Sequence, residues 1–176
     1  MSTAPLLALE SVSKVYHRGL LDRTPAFRLA ADRAFERAQI VGVMGPNGAG
    51  KTTLFEMIAG SNAPSSGRIV VAGQDMQRVR YRQRDRLAIH YHQSYQVRRF
   101  RKTKPSFMLD FFRRLRGEGR LVFVCLHPTA PFQLDILREI CECFLFVNGG
   151  EVAEYPDFVR LTAQPAVRMY LGALAG

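Results

Sequence analysis

The chain has 176 residues, of which 47% are hydrophobic and 23% are charged, as is typical of a soluble globular protein of one domain. No apolar run reaches the ~18 residues that a membrane-spanning helix needs, which excludes such a helix from this sequence. The three cysteines form no C-x-x-C pair, and the first residues do not resemble a secretory signal. We therefore expect a reducing, cytoplasmic setting.

The charge is distinctly basic, because 25 Lys and Arg residues stand against 15 Asp and Glu residues, giving a net charge of +10. Such a balance favours nucleic acid, a nucleotide or the anionic inner face of a membrane as a partner. It is equally compatible with an ordinary solvated surface. Charge alone leaves these alternatives open.

The sequence of the first half of the chain predicts several strands and a glycine-rich loop. Residues 6–16 alternate apolar and polar positions and predict a strand, whereas residues 26–35 fit either a strand or a helix. Residues 38–44 form a short β-branched segment that predicts a buried strand running into the loop. A helix should follow and end at Gly60, and the segment GRIVVAG predicts the next strand.

The middle of the chain has a different amino-acid composition. Between residues 77 and 104 a dense run of Arg and Lys residues is interleaved with the aromatic residues Tyr81, Tyr91, Tyr95 and Phe100. This mixture suits either nucleic-acid binding or an exposed, charged docking surface. Beyond it, the segments RLVFVCL and CFLFVNGGEV predict strands, and the first is apolar enough to be covered on both faces, as in a parallel α/β sheet.

The loop itself satisfies the pattern G-x-x-x-x-G-K-[ST], with a predicted strand before it and a predicted helix after it. Its residues are Gly45, Pro46, Asn47, Gly48, Ala49, Gly50, Lys51 and Thr52, followed by Thr53. Glycines let successive N–H groups point at phosphate oxygens, and the start of the helix adds to that field. Lys51 should reach the β- and γ-phosphates, and the Thr52 hydroxyl should bind Mg²⁺. The sequence predicts a site for a nucleoside triphosphate.

The segment GPNGAGKTTLF resembles the Walker A motif of ATP-binding cassette (ABC) ATPases, and further motifs follow in that family's order. The resemblance implies that Tyr16 stacks on adenine, although Tyr16 could instead pack on the first sheet. It implies that Gln93 is the Q-loop glutamine, which contacts Mg²⁺ and reports to a membrane partner; an ordinary polar loop residue is the alternative. It makes His127 the γ-phosphate sensor, at the end of a predicted parallel strand where α/β sheets place ligands.

Two parts of that family's pattern are missing. No LSGGQ-like signature is present, and the hydrophobic strand that should end in Asp-Glu is matched only by KPSFMLDFFRRL, with Asp110 as a magnesium ligand and Phe111 in place of the glutamate. Asp110 could instead cap a helix over FFRRLRGEG. Only 17 positions separate Gln93 from Asp110, and another 17 separate Asp110 from His127. We therefore expect gaps near residues 96–103 and directly after residue 110.

The resemblance implies an α/β fold: a P-loop NTPase whose mostly parallel central sheet is flanked by helices, with a small N-terminal antiparallel β subdomain. Residues 1–176 would form one nucleotide-binding domain lacking the helical signature subdomain. It would bind ATP and Mg²⁺ and pair head to tail with a second cassette. As an ATPase it would couple ATP binding and hydrolysis to transport by a separate transmembrane permease at the inner membrane face. The alternatives are a degenerate cassette that binds ATP without turnover and regulates a partner, and an ABC-type ATPase acting on nucleic acid.

Overall fold

The computed structural model describes residues 4–19, 24–84, 89–93, 105–125, 128 and 131–175. The strands are β1 (Leu7–His17), β2 (Pro25–Phe35), β3 (Ile40–Met44), β4 (Ser66–Val71), β5 (Gln74–Asp75), β6 (Ile89–Gln93), β7 (Leu121–Cys125), β8 (Cys143–Asn148) and β9 (Glu151–Tyr155). The helices are α1 (Lys51–Ile58), α2 (Tyr81–Arg84), α3 (Pro105–Gly117), α4 (Pro131–Ile140), α5 (Phe158–Thr162) and α6 (Pro165–Leu171), with a final 3₁₀ turn over Gly172–Ala175.

The chain divides into two compact units, and the first comprises residues 1–37, 47–88 and 147–152. Its strands β5, β4, β1 and β2 are neighbours in that order and antiparallel, and β9 begins parallel to β2. The segment over residues 26–35 is a strand, because the buried residues Leu29, Ala31 and Phe35 are separated by the exposed residues Ala30, Asp32 and Ala34. That alternation has the period of a strand, not of a helix.

The second unit comprises residues 38–46, 89–146 and 153–176. Its strands follow the order β8, β3, β7, β6, and every pair is parallel. Every residue of β3 and β7 is buried, as is usual for a parallel sheet covered on both faces. The predicted combination of a parallel α/β sheet and an antiparallel N-terminal sheet is therefore confirmed.

Residues 105–117 contradict the sequence expectation. They form the continuous helix α3, not a strand. Leu109, Phe112 and Leu115 are buried three residues apart, so one face of this segment enters the core with the period of a helix. The reading of KPSFMLDFFRRL as the strand that ends in Asp-Glu is wrong.

The gap expected directly after residue 110 stays a prediction. Residues 111–117 continue α3, which has 13 residues in all and begins before Asp110. Asp110 lies five residues inside α3, so it is not a helix cap either. The other expected gap, near residues 96–103, lies outside the described residues.

Within the part of the chain that the structure describes, no helix is long and apolar enough to cross a membrane.

Candidate functional site

The glycine-rich loop joins the end of β3 to the start of α1. Three of its glycines have a positive φ: 146° at Gly45, 78° at Gly48 and 107° at Gly50. Residues with a side chain rarely adopt such angles. At Gly50 space is restricted as well, since a Cβ atom there would lie 2.8 Å from Cζ of Phe27. The loop conformation therefore depends on glycine at these positions, as the motif predicts.

Helix α1 begins at Lys51, directly after Gly50. The first N–H groups of a helix have no acceptor within the helix, and its N-terminus carries a partial positive charge. The first turn of α1 contains no acidic side chain, so no carboxylate in that turn competes for this field. Thr52 is exposed, whereas Leu54, Phe55, Met57 and Ile58 are buried and anchor the helix. This arrangement suits the binding of a polyanion.

Tyr16, near the end of β1, has an exposed fraction of 37% and several fixed neighbours. Its ring centroid lies 6.4 Å from that of Phe27, which in turn lies against Gly50. The Lys14 ammonium is 5.5 Å from the ring centroid. Tyr16 is thus a partly exposed aromatic side chain that neighbours Phe27, and Phe27 lies against Gly50 at the end of the glycine-rich loop.

The turn after α1 forms hydrogen bonds with Tyr16 and with its neighbour Lys14. The Asn62 side-chain amide donates a hydrogen bond to the Tyr16 hydroxyl (Nδ2 to Oη, 2.8 Å) and lies 3.2 Å from Glu56 Oε2. Lys14 Nζ donates to the backbone carbonyl of Ala63 at 2.7 Å. Sequence reasoning missed Asn62 and Phe27. The only sequence signal for Asn62 was its place just after the glycine that stops the helix.

In the second unit the carboxyl ends of the parallel strands share one edge. The register pairs Gln93 with Cys125, Val43 with Cys125, and Met44 with Phe146. The backbone of Gln93 therefore lies at the edge where parallel sheets place ligands, and its side chain lies outside the described residues. His127, two positions beyond β7, also lies outside them.

The structure corrects the predicted position of Asp110, which lies on a helix and not at the end of a strand. Its side chain is 72% exposed on α3, and Arg113 Nη1 lies 3.8 Å from Asp110 Oδ1, one helical turn away. Phe111 follows it on the same helix, and so it does not occupy a glutamate position at a strand end. In the described part of the chain no cluster of three or more His, Cys, Asp or Glu residues could hold a metal ion. The predicted strand end at Asp110 is therefore wrong, while a magnesium role for this carboxylate stays a prediction.

Known proteins are similar to this chain in the region that contains the glycine-rich loop. The family model described as "ABC transporter" matches residues 31–108. Over 73 residues the chain is 44% identical to the methionine import ATP-binding protein MetN of Nocardia farcinica, a match covering 42% of this chain and 21% of that protein. The lipoprotein-releasing system ATP-binding protein LolD of Xylella fastidiosa is 36% identical over 85 residues, or 48% of this chain and 35% of LolD.

Solved structures show the fold across nearly the whole chain. The ADP conformation of MJ1267, an ATP-binding cassette of an ABC transporter, has a TM-score of 0.69 at 11% identity and covers 97% of this chain and 100% of that one. A bacterial Atm1-family ABC exporter with ATP bound has a TM-score of 0.64 at 14% identity, covering 100% of this chain and 43% of the exporter chain. The fold is therefore that of an ATP-binding cassette, whereas the sequence matches span only about a fifth to a third of MetN and LolD.

Proposed function

Because the family model described as "ABC transporter" matches residues 31–108, we propose that this chain is the ATP-binding subunit of an ABC transporter. The observation that carries the proposal is the glycine-rich loop with three left-handed glycines, followed at once by a helix whose first turn lacks an acidic side chain. MetN and LolD are named as ATP-binding proteins of import and lipoprotein-releasing systems. The proposal extends that role to this chain.

The phosphates would bind to the loop and to the start of α1. Backbone N–H groups from Asn47 onward supply a fixed set of donors, and the helix dipole favours a negative charge at the same place. The Lys51 ammonium adds the mobile positive charge that pairs with the terminal phosphates. These groups need no rearrangement to receive a triphosphate, because φ is already set at Gly45, Gly48 and Gly50.

The base would lie on Tyr16. The ring is partly exposed, and Phe27, Lys14 and Asn62 restrict its position. An aromatic ring fixed in this way loses little conformational freedom when a base stacks on it. Tyr16 contributes the stacking surface, and Asn62 orients it through the hydroxyl.

Magnesium would accompany the nucleotide, held by the Thr52 hydroxyl and phosphate oxygens, with Gln93 as a further ligand. The exposed side chain of Thr52 at the second position of α1 fits this role. Mg²⁺ commonly keeps several waters and few protein ligands when it binds with phosphates, so the scarcity of carboxylates does not oppose it. When bound, the ion neutralises phosphate charge.

The partners proposed are a transmembrane permease and a second cassette arranged head to tail. Gln93 would report the nucleotide state to the permease, and His127 would sense the γ-phosphate. The chain would then act as a peripheral subunit on the inner face of the cell membrane. Its net charge of +10 suits an anionic surface there.

A second candidate is a degenerate cassette that binds ATP without turnover and regulates a partner. The observation that favours it is the absence from the sequence of two motifs that hydrolysis needs. The sequence contains no Asp-Glu pair and no LSGGQ-like segment, and Asp110 lies within α3 with Phe111 directly after it. Without a carboxylate to accept a proton from water, general-base catalysis lacks its residue. ATP binding is common to both candidates.

The test is a titration of the purified chain with a fluorescent ATP analogue and Mg²⁺. Lys51→Ala should abolish binding or weaken it at least about 100-fold, because a charge-assisted contact to phosphate is worth about 3 kcal/mol or more where several bonds are lost. Arg78→Ala is the matched control, since it removes one positive charge from a side chain that is 89% exposed in the same unit. Equal affinity of wild type and Lys51→Ala would overturn the assignment of the loop.

A further inference from the structure

Glu56, an exposed residue of α1, contacts Asn62 at two points. Its backbone carbonyl accepts a hydrogen bond from the Asn62 N–H at 3.1 Å. Its side chain accepts a second one, from Asn62 Nδ2 to Glu56 Oε2 at 3.2 Å. The same Nδ2 atom donates to the Tyr16 hydroxyl at 2.8 Å. A continuous series of side-chain hydrogen bonds therefore begins on α1 and ends at the ring that is proposed to stack on the base.

The Glu56 carboxylate decides which end of the Asn62 amide faces Tyr16. An ionised carboxylate can only accept hydrogen bonds, whereas a side-chain amide has an NH₂ group at one end and an oxygen at the other. A rotation of the amide by half a turn would place Asn62 Oδ1 against Glu56 Oε2, two acceptors with no hydrogen atom between them. Glu56 thus keeps the NH₂ group of Asn62 directed at the Tyr16 hydroxyl.

The backbone of the turn after α1 is held in place without this carboxylate. Ser65 donates its N–H to the carbonyl of Ser13 at 2.7 Å, and its hydroxyl accepts from the N–H of Val15 at 3.0 Å. Both partners belong to β1, the strand that carries Tyr16. The specific contribution of the Glu56 side chain is therefore the orientation of the Asn62 amide and not the path of the turn.

We propose that Glu56 is a positioning residue for the nucleotide base, whose carboxylate orients the Asn62 amide and, through it, the Tyr16 ring. This role rests on the proposed nucleotide-binding function. An aromatic ring that is already held in place loses less conformational freedom when a base stacks on it. Glu56 thereby contributes to base binding from α1, the same helix that begins with Lys51.

The sign of the effect separates this role from an effect of charge alone. Glu56 carries a negative charge and ATP is a polyanion, so removal of the carboxylate should strengthen binding if only charge acts. Loss of a positioning contact should weaken binding instead. The two explanations predict opposite changes for the same variant.

The first test compares the affinity for ATP with that for inorganic triphosphate, both with Mg²⁺, by isothermal titration calorimetry. Glu56→Ala should bind ATP about two- to fivefold more weakly than wild type, the range expected for one modest net hydrogen bond. It should bind inorganic triphosphate no more weakly than wild type, because that ligand has no base. Alanine is favourable at an exposed helix position, so the variant should keep the wild-type melting temperature.

Three further variants test whether the effect passes through Asn62. Glu36→Ala is the matched control, because Glu36 is an exposed carboxylate of the same unit, and it should not weaken ATP binding. Glu56→Gln keeps an oxygen that can accept from Asn62 Nδ2, so it should recover most of the lost affinity. In an Asn62→Ala background, Glu56→Ala should cause no further loss, since its effect needs that amide.

The second test reads the contact directly, with no nucleotide added. The sequence contains three asparagines, so a chain labelled with ¹⁵N at the asparagine side-chain amides gives few signals to assign. The Asn62 side-chain signals should shift in Glu56→Ala and stay in place in Glu36→Ala.

The outcomes separate the two proposals. Failure of the wild-type chain to bind ATP would refute the proposed function, while the Asn62 signals would still test the contact. A Glu56→Ala variant that binds ATP as tightly as wild type, or that loses as much affinity for inorganic triphosphate as for ATP, would overturn the positioning role. An unmoved Asn62 signal, or a further loss in the Asn62→Ala background, would overturn it as well.

Discussion

The Asn62 amide donates to the hydroxyl of Tyr16 at 2.8 Å, although the two residues lie 46 positions apart. Asn62 belongs to the turn that ends α1, the helix that begins with Lys51. One hydrogen bond thus links the proposed base-stacking side chain to the far end of the helix that is proposed to bind the phosphates. Tyr16, Asn62 and helix α1 thus belong to one connected structure within the first unit.

Removal of the Tyr16 ring should weaken ATP binding. Tyr16→Ala should lose about 1–3 kcal/mol of binding free energy, the usual value of a base–aromatic contact. Tyr16→Phe keeps the ring and loses only the bond to Asn62, so it should lose less than about 1 kcal/mol. Titration with a fluorescent ATP analogue measures both.

Asn62→Ala provides the matched comparison. It removes the same hydrogen bond from the other side and should reproduce the small loss of Tyr16→Phe. Equal losses in Tyr16→Ala and Tyr16→Phe would point to the hydroxyl and contradict a stacking role for the ring.

Hydrolysis by the 176-residue chain should stay at background. The sequence offers neither an Asp-Glu pair nor a signature segment, and loss of a general base typically lowers the rate about 10²- to 10⁴-fold. The measurement is magnesium-dependent phosphate release by a protein whose intact mass is confirmed as 19.9 kDa. Brisk turnover by a chain of that mass would show that another residue activates water, whereas a larger mass would reveal residues missing from the sequence.

Asp110 should be dispensable for nucleotide binding. Asp110→Ala removes a carboxylate that is 72% exposed and lies 3.8 Å from Arg113. Surface ion pairs of this kind contribute about 0–1 kcal/mol to stability, and α3 places Asp110 in the interior of a helix, away from any strand end. Affinity for MgATP should match wild type. A severe loss of magnesium-dependent binding in this variant would restore the sequence-based role of Asp110.

Gly42→Ala should destabilise the second unit. A Cβ atom at this position in β3 would lie 2.7 Å from Cδ1 of Phe144 and 3.1 Å from the Cys141 sulfur. Phe144 is 1% exposed and packs against Phe158 with ring centroids 5.6 Å apart, so it has little room to move. Overpacking of a core typically costs about 1–3 kcal/mol.

Gly117→Ala is the control for this measurement by chemical denaturation. A Cβ atom on Gly117, at the end of α3, would meet no heavy atom within 4 Å. Alanine is the better helix former, so this variant should be as stable as wild type or slightly more stable. A neutral Gly42→Ala would mean that β3 and β8 can separate locally without loss of packing energy.

The sequence by itself determined the features that depend on local chemistry. The glycine-rich motif needs backbone angles that only glycine adopts readily, and the structure has them at Gly45, Gly48 and Gly50. Apolar runs identified β3 and β7 as buried strands because a strand covered on both faces has no polar face. Both properties depend on residues that are adjacent in the chain, so the sequence alone is enough to predict them.

Only the tertiary structure decided the roles that depend on distant residues. The apolar run before Asp110 suits a strand or a helix, and packing of Leu109, Phe112 and Leu115 into the core of the second unit selected the helix. Likewise, nothing in the local sequence pairs Asn62 with Tyr16 or Gly42 with Phe144. Each of those contacts exists because the fold brings together segments that lie far apart in the chain, and periodicity carries no information about such separations.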